Sequence, residues 1–180
     1  MDLRRREALL AGATLALLAA CDRAAPPPSF QAVDITGADY AKELGLPDLD
    51  GRMRTLAEFR GRAVVVFFGF THCPDVCPTT LAELAAVKQA LGADGARLQT
   101  VFVTVDPERD SPELLKTYVA AFDPATVVLR GTPEQTAAMA KSFKVFFQKS
   151  PGKEPGSYSI DHTAGAFVFD PQGRVRLFVK

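Results

Sequence analysis

Residues 63–70 read AVVVFFGF, β-branched and aromatic with no charge and apolar side chains at consecutive positions. Such a run predicts a central strand covered on both faces. Residues 98–105, LQTVFVTV, repeat the pattern and predict a second core strand, and residues 127–129 a short third. Helical periodicity lies between them. Leu81, Leu84, Ala85 and Leu91 share one stripe of a helix predicted over residues 79–91, and Gly92 stops it. Ser111 predicts a cap for a second helix with Pro112 at its first position, running to about Phe122. Thr132-Pro133-Glu134 starts a third, ending near Phe143.

The flanks are less regular. Residues 34–60 hold Gly45, Pro47 and Gly51 and predict short strands, a hairpin around Asp50-Gly51 and a helical turn near Leu56 to Phe59. Residues 145–160, with Pro151, Gly152, Pro155 and Gly156, read as irregular. Residues 164–169 and 174–179 read as a hairpin around Asp170-Pro171-Gln172-Gly173. Strand and helix alternate and a hairpin closes the chain. That order predicts an α/β fold with a central mixed β-sheet flanked by helices, an N-terminal hairpin region and a C-terminal β-hairpin. A thioredoxin-like fold fits it.

The N-terminus has a different pattern. Arg4, Arg5 and Arg6 precede an apolar run over residues 8–20. The run is short of the roughly 20 residues a spanning helix needs and has the length of a signal-peptide core. It ends in Leu18-Ala19-Ala20-Cys21, which resembles a bacterial lipobox, with lipid on Cys21 and cleavage just before it. The plainer alternative is a signal peptide with an incidental cysteine. Arg5-Arg6 also resembles a twin-arginine signal, so either secretion route fits. The expected organisation is a lipoprotein-type signal peptide over 1–20, a lipid-anchored proline-rich linker over 21–30 and a folded domain over 31–180. Pro26-Pro27-Pro28 predicts an extended, stiff stalk. A lipidated Cys21 anchors the chain to a membrane without spanning it and places it in the bacterial cell envelope, facing an oxidising compartment.

Charge narrows the partners. Lysine plus arginine equals aspartate plus glutamate at 21 each, so no bulk charge points to nucleic acid. Loss of residues 1–20 leaves the remainder close to neutral.

Cys21 aside, two cysteines remain, in THCPDVCPTT over residues 71–80. In an oxidising compartment Cys73 and Cys77 read as a staple, a redox couple or a metal site. They follow a central strand where a helix begins, the end of an open α/β sheet where ligands bind. A helix start favours anions, so both sulfurs are expected to be partly exposed with lowered pKa. A staple closing so short a loop removes little chain entropy, which disfavours a purely structural disulfide.

A metal needs more ligands, and the chain has two histidines. His72 adjoins Cys73 and should point away from it. His162, in Tyr158-Ser159-Ile160-Asp161-His162-Thr163, precedes the strand at Ala164 and faces the cysteine loop in a thioredoxin-like sheet. It stands as a ligand or as a satisfied structural histidine. Two thiolates and one imidazole suit Cu(I). Zinc asks for a fourth ligand, which a carboxylate or water would have to supply. Asp161 reads as a partner orienting His162 or as a turn aspartate bonding its own backbone. Asp106-Pro107 shapes the site or merely opens a loop. Arg109 and Asp110 read as solvated or capping. Phe143, Phe146 and Phe147 read as core, or as a docking patch beside the site.

Residues 66–81, VFFGFTHCPDVCPTTL, closely resemble the cysteine motif of the Sco/SenC copper-chaperone family. Residues 104–110, TVDPERD, resemble its second motif; Tyr158, Asp161-His162-Thr163 and Asp170-Pro171-Gln172-Gly173 resemble its third. The resemblance covers roughly residues 45–180 in order. It implies a thioredoxin-like fold and one copper ion, Cu(I) or Cu(II), held by Cys73, Cys77 and His162. It implies a metallochaperone, not an enzyme in the strict sense, that delivers copper to the binuclear copper site of cytochrome c oxidase or keeps its thiols reduced. The implied partners are the oxidase's copper-bearing subunit, other periplasmic copper chaperones or thiol reductants, and the membrane. The alternative is a membrane-anchored thiol–disulfide oxidoreductase in which Cys73 attacks and Cys77 resolves. A thiol peroxidase would want an arginine in the cysteine loop, which holds none. Two departures stand out. Phe167 occupies a position where the family carries tyrosine. The family continues into a C-terminal helix, which the chain is expected to lack.

Overall fold

The computed structural model describes residues 29–152 and 157–180. The signal peptide, Cys21 and most of the linker lie outside the described residues. Residues 32–180 form one compact unit.

Its strands are β1 (Val33–Asp34), β2 (Leu46–Pro47), β3 (Met53–Arg54), β4 (Ala63–Gly69), β5 (Leu98–Thr104), β6 (Val127–Leu129), β7 (Phe147–Pro151), β8 (Tyr158–His162), β9 (Ala166–Phe169) and β10 (Val175–Val179). Its α-helices are α1 (Val76–Ala90), α2 (Pro112–Ala120) and α3 (Pro133–Ser142), with a 3-10 turn at Leu56–Phe59. Six strands form one sheet in the order β1-β10-β9-β4-β5-β6. β4, β5 and β6 run parallel, and β9 pairs antiparallel with β4. This is the mixed, helix-flanked, thioredoxin-like sheet that the alternation predicts.

The unbroken apolar runs take the middle places. Val64 to Gly69 of β4 and Gln99 to Thr104 of β5 are buried, as strands covered on both faces must be. Phe143, at the end of α3, packs edge-on against Phe68 of β4 and Phe167 of β9, with ring centroids 5.2 and 5.1 Å away. Phe167 is thus a core ring. Ser111 caps α2 by accepting from the Leu114 amide, and Thr132 with Gln135 makes a reciprocal cap on α3.

Three expectations are corrected. α1 starts at Val76, not at Thr79, because Pro78 in a first turn gives up only an amide the helix does not use. Leu91, placed on the buried stripe of α1, is exposed. Residues 145–160 are not irregular: β7 and β8 pair antiparallel from Phe147 opposite His162 to Pro151 opposite Tyr158. Pro151 and Gly152 lie at or just beyond the end of the paired segment, where they do not interrupt its ladder.

Candidate metal centre

β4 ends at Gly69, and the chain turns at Phe70, whose carbonyl accepts from the Cys73 amide at 3.2 Å. Cys73 lies in this loop and Cys77 in the first turn of α1. Gly69 makes room for them. A Cβ there would stand 2.7 Å from Cys77 Sγ and 2.9 Å from the Phe102 ring, closer than carbon tolerates.

Both cysteines are free and both are buried, Cys73 8% and Cys77 1% exposed. The expected partial exposure is therefore corrected for both, and the expected lowered pKa for Cys77. Burial pushes its thiol well above the ordinary range, and its hydrogen bond with Cys73 adds to the rise. Desolvation outweighs the helix start because the charged form has lost its water.

His162 comes to the sulfurs from β8. Its Nε2 lies 3.7 Å from Cys77 Sγ, and donor atoms of Cys73, Cys77 and His162 all fall within 4.8 Å of one another. Nδ1 stands 3.1 Å from the Thr163 carbonyl. A carbonyl only accepts, so Nδ1 carries the proton and Nε2 turns its lone pair to the sulfurs. Burial lowers the pKa of His162, which keeps the imidazole neutral, the form that ligates. Two thiols and a neutral imidazole are a donor set suited to a soft monovalent copper ion. His72 is exposed, with Nδ1 3.0 Å from Thr71 Oγ1, and stays outside the cluster.

Asp161 takes neither role expected of it. In β8, Tyr158, Ile160 and His162 share one face, and Ser159 and Asp161 the other. Asp161 faces out and accepts from Ser150 across the hairpin. The Thr163 carbonyl orients the imidazole instead.

Asp106 is fully buried and more than a loop opener. One carboxylate oxygen accepts from Tyr158 Oη at 2.8 Å, and the other from Arg109 Nε. Burial and the Asp106 hydrogen bond raise the Tyr158 pKa. Arg109 and Asp110 are neither solvated nor capping. Asp110 is buried and accepts from the Thr71 amide, the Thr71 hydroxyl and, at 2.6 Å, the Thr104 hydroxyl, so it grips the first residue of the cysteine loop. Their clustering in Asp106-Pro107-Glu108-Arg109-Asp110, directly after a core strand, was the signal available in the sequence. Of the three phenylalanines, Phe143 is core, Phe147 half-buried and Phe146 exposed.

The SCO1/SenC family profile matches residues 33–180. The mitochondrial SCO2 homologue of Bos taurus is 37% identical over 166 residues, which cover 91% of this chain and 62% of that one. The SCO2-like protein of Rickettsia prowazekii is 35% identical over 130 residues, 72% of this chain and 63% of its own. The chain thus spans somewhat under two thirds of these relatives. Among solved structures, Bradyrhizobium japonicum ScoI with copper bound superposes with a TM-score of 0.70 at 39% identity, over 77% of this chain and 87% of that one. Yeast Sco1 with copper bound gives a TM-score of 0.68 at 34% identity, over 76% and 77%.

Proposed function

The chain belongs to the SCO1/SenC family, and from that premise we propose that it is a copper metallochaperone whose cargo is held by Cys73, Cys77 and His162. The observation that carries the reading is the convergence of two free cysteines and a neutral imidazole within 4.8 Å at the strand ends. Relatives solved with copper bound support the choice of ion. The receiving partner is the copper-bearing subunit of cytochrome c oxidase. Transfer is ligand exchange: a partner thiolate or imidazole adds to Cu(I) as a ligand of this site leaves, so the ion is never free.

The two sulfurs also suit a second reading, thiol–disulfide exchange. The Cys73 thiolate attacks a partner disulfide, one partner sulfur leaves as thiolate, and Cys77 then displaces the mixed disulfide. The partner gains two electrons and the Cys73–Cys77 pair loses them. That chemistry needs no imidazole. Signal removal after residue 20, a lipid on Cys21 and a linker over 21–30 complete the proposal. They put the domain on the membrane of a bacterial envelope, facing outward.

The test is an anaerobic Cu(I) titration of the reduced full chain in detergent, against a competing chelator. One tight equivalent, weakened at least about tenfold by His162→Ala, is the expected outcome. Binding indifferent to His162 moves the weight to thiol exchange.

A further inference from the structure

His162 is carried by a hairpin that belongs to neither neighbour of β4. Among the described residues, β7 and β8 pair only with each other and form a separate two-stranded sheet. Such a ribbon is marginal alone and needs packing to hold it. Its inner face carries Tyr158, Ile160 and His162, with Ile160 buried. At the His162 end, the Thr163 amide donates to the Phe146 carbonyl at 2.9 Å, and the Phe146 amide donates to Thr163 Oγ1 at 3.0 Å. At the Tyr158 end, the hold comes from the loop after β5.

Tyr158 Oη donates to Asp106 at 2.8 Å, Lys149 pairs with Glu108, and Arg109 joins the two sides. Arg109 Nε donates to Asp106, and Nη1 donates to the Tyr158 carbonyl at 2.7 Å. The guanidinium lies 3.6 Å from the centroid of the Tyr158 ring and 5.8 Å from that of Phe70. Phe70 meets the His162 ring edge-on, with centroids 5.8 Å apart at 82°. Arg109 therefore touches the hairpin directly and reaches the imidazole through one ring. The same loop grips the cysteine side: Asp110 holds Thr71, and Arg130 ties the Pro107 and Asp110 carbonyls at 2.7 and 2.8 Å. A five-residue loop thus holds the cysteine loop with one end and the histidine hairpin with the other.

We propose that Arg109 is a positioning residue for His162: it fixes the histidine hairpin against the cysteine loop and so sets how tightly the site takes copper. The inference rests on the copper reading. Arg109 supplies no donor atom to the ion; it acts through Tyr158 and Phe70. Its fork is the part that matters, because a single ammonium cannot reach Asp106, the Tyr158 carbonyl and the ring face together.

The experiment is a double-mutant cycle on the reduced full chain, with parent, Arg109→Gln, His162→Ala and the pair compared by Cu(I) competition. Arg109→Gln is expected to weaken binding about tenfold or more, as loss of a ligand-orienting partner does. In the His162→Ala background it is expected to cost nothing further, since the residue it positions is gone. In the metal-free protein, amide hydrogen exchange should quicken in β8 and stay unchanged in β4 and β5. Parent-like affinity in Arg109→Gln, or an equal loss in both backgrounds, overturns the proposal. If the glutamine variant does not fold, Arg109→Lys carries the same test with the cation kept. A parent whose binding ignores His162→Ala removes the copper reading itself. A His162-dependent parent with an indifferent Arg109→Gln removes only this inference.

Discussion

At the residue scale, Gly69 and His162 show how differently two site positions can be read. His162 was legible, because a chain with two histidines leaves few candidates and one adjoins a cysteine. Its partner was not. Adjacency on paper offered Asp161, yet strand alternation turns Asp161 to solvent and leaves the Thr163 carbonyl to orient the ring. Gly69 drew no notice in a run of valines and phenylalanines, although its missing side chain is the space Cys77 Sγ occupies. Gly69→Ala should push Sγ away and crowd Phe102, both in the core. A loss of about 1–3 kcal/mol in unfolding free energy is expected, typical of overpacking. Weakened copper binding should accompany it. Denaturant unfolding and Cu(I) competition check the two parts; a variant with parent stability and affinity would show that the close approach is not tight.

At the element scale, the periodic segments were legible and the ribbon that carries the histidine was not. β4 and β5 announce themselves because burial on both faces demands apolar residues throughout. β7 and β8 are half-exposed and ringed by proline and glycine, so their composition resembles a loop; their pairing is held by tertiary contacts at Tyr158 and Phe146 that no local pattern records. The β9–β10 turn is the opposite case, written locally by Asp170 to Gly173. Asp170 accepts from the amides of Gln172 and Arg174 and from the Arg174 guanidinium. Burial alone would raise its pKa, but these donors outweigh that and hold it below the ordinary carboxylate value. The folded state therefore takes up this proton less readily than the unfolded chain. The stability it contributes is complete above the unfolded value of about 3.9 and is lost as pH falls through the folded one. Asp170→Asn should lose about 0.5–1.5 kcal/mol at neutral pH, as loss of a partly exposed hydrogen-bonded charge does. It should also flatten the acid limb below about pH 4. Thermal unfolding across pH 2–7 tests both, and a variant that keeps the parent's acid limb would assign that limb elsewhere.

At the scale of the whole molecule, the proposed copper role raises the question of what would keep the chain beside its receiver. No helix among the described residues is long and apolar enough to cross a membrane. The sequence offers a proposed hold of another kind in Leu18-Ala19-Ala20-Cys21. One acyl chain gives only marginal, reversible binding, whereas more than one holds firmly. A lipidated Cys21 would confine the chain to the membrane surface, beside the proposed receiver, a membrane-bound oxidase subunit. It would raise the local concentration of each for the other without any new contact. Made in a bacterium, the parent protein should have an intact mass that lacks residues 1–20 and carries added lipid, and it should stay in the membrane through an alkaline wash. Cys21→Ala should lose the added lipid mass and keep the folded domain's copper binding unchanged, because the proposed donor set is Cys73, Cys77 and His162. A parent of unmodified mass would remove the anchor and leave encounter with the proposed oxidase partner to diffusion. A Cys21→Ala protein with altered copper stoichiometry would show a third thiol competing for the ion.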